Sequence, residues 1–172
     1  MNDRGDQDLW DAVVAAEKEL VRRRADFYRN AKGRSEVVKA ALSGDAWQQG
    51  SALGFLDSLS EDAPDVLPQL VGLSMSHRWA LQARRVVHRI PPDRLWPMLT
   101  PMVSGLLKTA DADDHLRLAE LLAHVGAWPL LRQLADRAVT HDDPEIREVA
   151  EDVTRRYGRF WPPPPATSGP EL

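Results

Sequence analysis

Four alanines, Ala52, Ala83, Ala119 and Ala150, each stand at the centre of an apolar helical stripe and recur at intervals of 31, 36 and 31 residues. Three residues beyond them lie Phe55, Val86, Leu122 and Val153; four before them lie Gln48, Trp79, His115 and Ile146. A small residue at the centre lets two helices approach, and bulky neighbours three positions away fill the grooves between them. A self-similar period of this length is the mark of stacked helical repeats, in which each unit buries its apolar face on the next. The stripes place the first helix of each unit at about 45–60, 77–90, 114–126 and 144–158.

Second helices follow the first three units, each opening on a proline: Leu67-Pro68-Gln69-Leu70, Trp96-Pro97-Met98-Leu99 and Trp128-Pro129-Leu130-Leu131. Proline suits the opening turn, where its missing N–H has no intrahelical acceptor. Asp65 and Asp93 are the expected N-caps of two of these helices. Leu70, Leu99 and Leu131, with Leu73, Met102 and Leu134, make one repeated face. Pro101 falls deeper and marks either a kink or a later helix start. In the last unit Asp143 is the expected cap and Pro144 the first helical residue.

The segment Asp142-Asp143-Pro144-Glu145-Ile146-Arg147-Glu148-Val149-Ala150 resembles the HEAT-repeat consensus, in which an Asp-Pro turn leads into an aliphatic-Arg pair and a small residue. The resemblance extends over roughly 45–158, although only this copy carries Asp-Pro and Arg together. It implies an all-α fold, a superhelical α-solenoid of antiparallel HEAT-like helix pairs, of a kind used chiefly to hold other macromolecules.

Three regions follow. Residues 1–44 are expected to form N-terminal helices packed on the array, residues 45–158 the repeats, and residues 159–172 a proline-rich disordered tail. One long amphipathic helix is predicted over 8–31, because Val13, Leu20 and Phe27 recur every seventh residue beside Leu9, Trp10 and Ala16. A shorter helix lies between Gly33 and Gly44, with Ser35 as its expected N-cap. Clustered prolines after Trp161 favour extended backbone, and Phe160 and Trp161 are placed to fold back over the open end of the last repeat, since terminal repeats need a cap.

Composition narrows the chemistry. The chain has no cysteine, hence no disulfide framework, thiolate chemistry or cysteine-based zinc site. Its polar, acidic start is unlike a signal peptide and no apolar run is long enough to span a bilayer, so a cytoplasmic location and no membrane partner are expected. The formal net charge is −4, yet residues 18–39 carry +5 and the remainder −9. That segment gives one basic stretch and residues 78–94 a second.

No HExxH, nucleophile elbow or glycine-rich phosphate loop occurs. His77 and His88 share a face but lie about 16 Å apart along a helix, while His115 and His124 point to opposite sides. The acidic turns Asp111-Ala112-Asp113-Asp114 and Asp142-Asp143 are accounted for by helix capping. No catalytic residue, metal site, cofactor or small-molecule substrate is therefore inferred.

Two surfaces remain. Trp96 and Trp128, which precede the repeated proline, either pack between repeats or line a concave face; on that face, with Arg132, they are the expected anchors for a protein partner. Arg78, Arg85 and Arg89, flanked by Arg84, form either a solvated outer stripe or an anion-binding ridge. The expectation is a non-catalytic protein-binding module: an adaptor, an inhibitor or immunity protein, or an assembly factor. Nucleic-acid binding through the segments 18–39 and 78–94 is the alternative.

Overall fold

The computed structural model describes residues 3–161, with side chains from Gly5 onward. Every regular element among them is helical. The elements are α1 (Asp3–Asn30), α2 (Arg34–Leu42), α3 (Ala46–Ser58), α4 (Leu67–Ser74), α5 (Ala80–His88), α6 (Pro92–Leu106), α7 (Ala112–His124), α8 (Trp128–Ala138) and α9 (Pro144–Tyr157), with single 3-10 turns at Ser60–Asp62, Pro64–Val66 and Gly158–Phe160. The stretch 162–172, expected to be disordered, lies outside the described residues.

Helices α3, α5, α7 and α9 pack successively on one another, and α2, α4 and α6 do so alongside them. Between successive units α4 lies on α5 and α8 on α9, and within the third unit α8 lies on α7. The four repeated alanines are all buried at the contacts of the first row, with Phe55, Val86, Leu122 and Val153 buried beside them. Leu70, Leu99 and Leu131, on α4, α6 and α8, are fully buried. Each such leucine contributes roughly 1.5–3 kcal/mol of transfer free energy.

Helix ends follow local chemistry. The Asp45 carboxylate accepts from the backbone N–H groups of Trp47 and Gln48, and Gln48 accepts in return from the Asp45 N–H, closing a capping box. Asp111 caps α7 through Asp114, and Asp143 caps α9 with Pro144 in the first position, as expected. Helix α7 stops at Gly126, whose φ of 72° is left-handed. There the Ala127 N–H reaches back to the Leu122 carbonyl and that of Gly126 to Ala123, a Schellman closure that starts α8 two residues later.

Several expected boundaries are corrected. Helix α6 begins at Pro92, so Pro97 and Pro101 both lie inside it rather than in an opening turn. Pro91-Pro92 supplies an earlier start, with Asp93 in the first turn instead of at the cap; the prolines' lost N–H groups remove bonds to the Asp93 and Pro97 carbonyls. Asp65 lies within a 3-10 turn and accepts from the Ser35 hydroxyl at 2.9 Å. Ser35 is thereby withdrawn from capping α2, whose N-cap is Gly33.

The junction between α1 and α2 is clasped by Arg34. Its guanidinium pairs with the buried Asp62 through two nitrogens, donates to the Tyr28 carbonyl at 2.7 Å and lies over the Tyr28 ring at 4.4 Å. The bond to Asp62 is the main reason that the guanidinium holds its proton above the ordinary arginine range. Tyr28 donates in turn to Glu61; that bond and the carboxylate's charge raise the phenol above its usual value. This clasp fixes the direction in which α1 leaves the domain.

Candidate functional site

Helix α1 joins the hydrophobic core only through its last turns, where Phe27 and Tyr28 pack against it and Phe27 meets Phe55 edge-on at 5.3 Å. Its preceding turns cover nothing. Leu9 is 70% exposed, Trp10 62%, Val13 50% and Val21 64%, and Leu20 is also exposed. Projected at about 100° per residue, these side chains fall on one face, opposite Asp8, Asp11, Lys18 and Arg22. In proteins most helical stability comes from packing an amphipathic face, and these turns leave theirs exposed. The pairs Glu19–Arg22, Glu19–Arg23 and Asp26–Arg29 contribute only tenths of a kcal/mol each.

Where α1 meets the domain its apolar face runs into a groove of about 420 Å³. Leu20 and Phe27 form one wall, Val37, Val38 and Ala41 of α2 another, and Trp47, Ala52 and Phe55 of α3 the floor and far lip. Trp47 is 86% exposed although the backbone around it is fixed by the Asp45 capping box. Val37 is exposed beside it. Arg23 and Arg24 stand on the rim. Arg23 is paired with Glu19, whereas Arg24 makes no ion pair among the described residues. A contiguous exposed apolar surface with a charged edge has the anatomy of a protein-binding site.

The sequence pattern at α1 contains this signal in part. Of Val13, Leu20 and Phe27, which recur along one apolar face, only Phe27 packs against the core. Trp10, Val14 and Val21 widen the stripe on the other side. Trp47 and Val37 carry no motif; their exposure depends on how α2 and α3 meet.

The anticipated anchors lie elsewhere. Trp96 is half-buried against the core. Trp128 is half-buried too, stacked on Phe160 at 5.0 Å and tilted against Tyr157 at 6.3 Å. Phe160 and Trp161 therefore fold back on the last units, as expected, with Trp161 packed against the core. Arg132 has its Nε 3.7 Å from Asp136, one turn further along α8.

The anticipated basic ridge is largely neutralised. Arg85 and Arg89 share Asp57 at 3.1 and 2.9 Å. Arg84 is nearly buried, bonded to Glu120 at 2.9 Å and to the Ser74 carbonyl at 3.1 Å, and so ties α5 to α7. Arg78 lies over the Trp79 ring at 5.2 Å. From the other basic segment, Arg22, Arg23, Arg29 and Arg34 all have carboxylate partners.

The histidines pair across units: His88 with His124 at 5.9 Å and His115 with His141 at 6.0 Å between ring centres. Partial desolvation lowers the pKa of His124, helped by the charges of His88, Arg84 and Arg85. Arg117 bonds to Asp113 and holds that carboxyl below its usual range. Among the described residues no three His, Cys, Asp or Glu side chains are grouped to hold a metal ion, and no helix is long and apolar enough to cross a membrane.

The chain is an all-helical protein with an apolar groove beside a projecting helix. Comparison with known protein families, with curated proteins and with solved structures returns no match.

Proposed function

We propose that the protein is a non-catalytic, cytoplasmic protein-binding module, built as a short α-solenoid of HEAT-like helix pairs, and that it receives its partner in the α1–α2–α3 groove. The two neighbouring rows of helices and the repeated buried alanines support the solenoid reading. The observation that carries the binding reading is the exposure of Trp10, Val13, Val21, Val37 and Trp47 on well-formed helices beside the groove. Burying an exposed side chain of this kind in a partner contributes about 1.5–3 kcal/mol. The groove suits an amphipathic helix laid in by its apolar face, with acidic flanks toward Arg23 and Arg24.

This surface is favoured over Trp96, Trp128 and Arg132, because Trp128 is already engaged by Phe160 and Tyr157. It is favoured over nucleic-acid binding because Arg84, Arg85 and Arg89 have carboxylate partners within the fold. The test places a photo-crosslinking residue at position 47, identifies the protein captured in the native cell, and measures the purified partner's affinity directly. Trp47→Ala and Val37→Glu should each weaken that affinity by about tenfold or more while melting is unchanged. An unchanged affinity in both variants would refute the groove as the binding site.

A further inference from the structure

The groove calls for an apolar helix with acidic flanks, and the chain itself carries one. Residues 5–17 of α1 hold four carboxylates, Asp6, Asp8, Asp11 and Glu17, and no base; residues 18–30 hold five bases, Lys18, Arg22, Arg23, Arg24 and Arg29, against Glu19 and Asp26. The macrodipole accounts for charge in the first and last turns only, and Glu19 pairs with Arg22 and Arg23 within the helix, which leaves Arg24 of the basic half without an ion pair among the described residues. Helix α1 is continuous from Asp3 to Asn30, so its first half cannot fold back into its own groove. The same half of another molecule faces no such restriction.

We infer that two copies of the chain pair through α1, antiparallel, each laying its Leu9–Trp10–Val13 segment against Leu20 and the groove of the other. The inference rests on the groove being a protein-binding surface and names its occupant as a second copy. Reversing one helix brings an acidic half against a basic half at both ends, which a parallel pair would not do. With Val13 opposite Leu20 of the other copy, the two-fold axis crosses near Ala16 and Glu17, and Trp10 meets the rim at Arg24. Asp6 then lies within one turn of Arg24 of the other copy, and both project from the apolar side of α1. A single isologous contact satisfies both exposed stripes and both grooves and closes the assembly at two copies. Because the occupant and an external partner use the same groove, self-pairing and partner binding exclude each other.

An in-plane membrane helix is the other use for such a stripe. The acidic turns of α1 carry Leu9, its most exposed apolar side chain, together with Trp10 and Val13, which opposes docking on an anionic surface.

The absence of cysteine makes the geometry directly readable. In the full-length protein, the Val13→Cys/Leu20→Cys double variant and the Ala16→Cys single variant should form disulfide-linked dimers under mild oxidation. Val13→Cys alone should not, since two copies of position 13 stand about seven residues, or roughly 10 Å, apart along an antiparallel pair. Sedimentation of the unmodified chain should give a dimer, and Trp10→Ala with Val13→Ala should raise its dissociation constant by about tenfold or more. Both positions are exposed in the single chain, so circular dichroism should show the variants folded. A monomer at about 100 µM, corresponding to less than roughly 6 kcal/mol of association, would overturn the pairing. So would self-linking of Val13→Cys, which indicates parallel helices, or α1-dependent binding to vesicles of neutral and anionic phospholipid by a monomer. The groove reading is judged separately. A monomer that binds the identified partner in a Trp47-dependent way removes the second copy as occupant and leaves the groove standing.

Discussion

Placing a carboxylate at Ala119 tests the packing on which the architecture rests. Ala119 is 1% exposed, on the face that α7 turns toward its neighbours, between Leu118 and the fully buried Leu121 and Leu122. In Ala119→Asp the new group has no partner and must be buried charged or take up a proton. Buried carboxyls raise their pKa by up to about 3–5 units, and each unit is about 1.4 kcal/mol, so the penalty at neutral pH is roughly 4–7 kcal/mol. Overpacking adds about 1–3 kcal/mol. A domain with about 5–15 kcal/mol of total stability loses most of it. The charge part has a definite sign with pH. The folded-state pKa lies above the unfolded one, so the penalty is largest above the folded pKa and shrinks as pH falls toward about 4. Melting followed by circular dichroism across that range should show Ala119→Asp recovering toward the parent at low pH. Ala119→Asn should lack the recovery, and Ala15→Asp, on the exposed part of α1, should melt close to the parent. If Ala119→Asp melts like the parent at neutral pH, the alanine column is not core and the repeat alignment is wrong.

Ending the chain at Trp161 should leave its melting temperature nearly unchanged, because the removed segment Pro162–Leu172 has few apolar side chains. Ending it at Arg159 should lower melting, since the Phe160–Trp128 stack alone contributes about 0.5–1.5 kcal/mol beyond its area, and each kcal/mol is about 2–4 °C in a chain of this size. Equal melting of the two truncations would show that the aromatic pair does not cap the last unit. Nucleic acid should bind weakly and dissociate at physiological salt; sub-micromolar binding that persists there and disappears in an Arg78/Arg85/Arg89 triple alanine variant would reverse the ranking of functions. His124 should titrate below the ordinary histidine range, with burial as the main cause. Its contribution to stability is then present above the unfolded pKa of about 6.5 and lost as pH falls through the folded value; His124→Gln should flatten that part of the stability profile, and a proton NMR midpoint at or above the ordinary value would contradict it.

Much of the fold is legible in the residues because local chemistry and packing agree. The alanine columns predict burial at Ala52, Ala83, Ala119 and Ala150 and find it, and Asp143-Pro144 predicts a helix start that holds to the residue. Expectations diverge where two local signals compete. Pro97 sits in a Trp-Pro-x-Leu pattern shared with Pro129, but Pro91-Pro92 upstream sets the start of α6, and tertiary burial of Leu95 and Leu99 carries the helix through both internal prolines. The candidate site is less legible for a different reason. An amphipathic stripe records only that something apolar lies opposite, and for Val13 and Leu20 no described residue supplies it. Trp128 and Trp47 are alike as letters; the return of Phe160 covers one, and no described residue covers the other.

Amide hydrogen exchange along α1 tests the central claim most directly, measured over a protein-concentration series and again with the captured partner bound. The account predicts rapid exchange for residues 9–21 in dilute protein, slowing by about tenfold or more when a helix occupies the groove. The core helices α5 and α7 should keep the same protection throughout. Exchange in α1 that stays equally rapid at every concentration and with the partner bound would contradict the claim that its apolar face is the interaction surface.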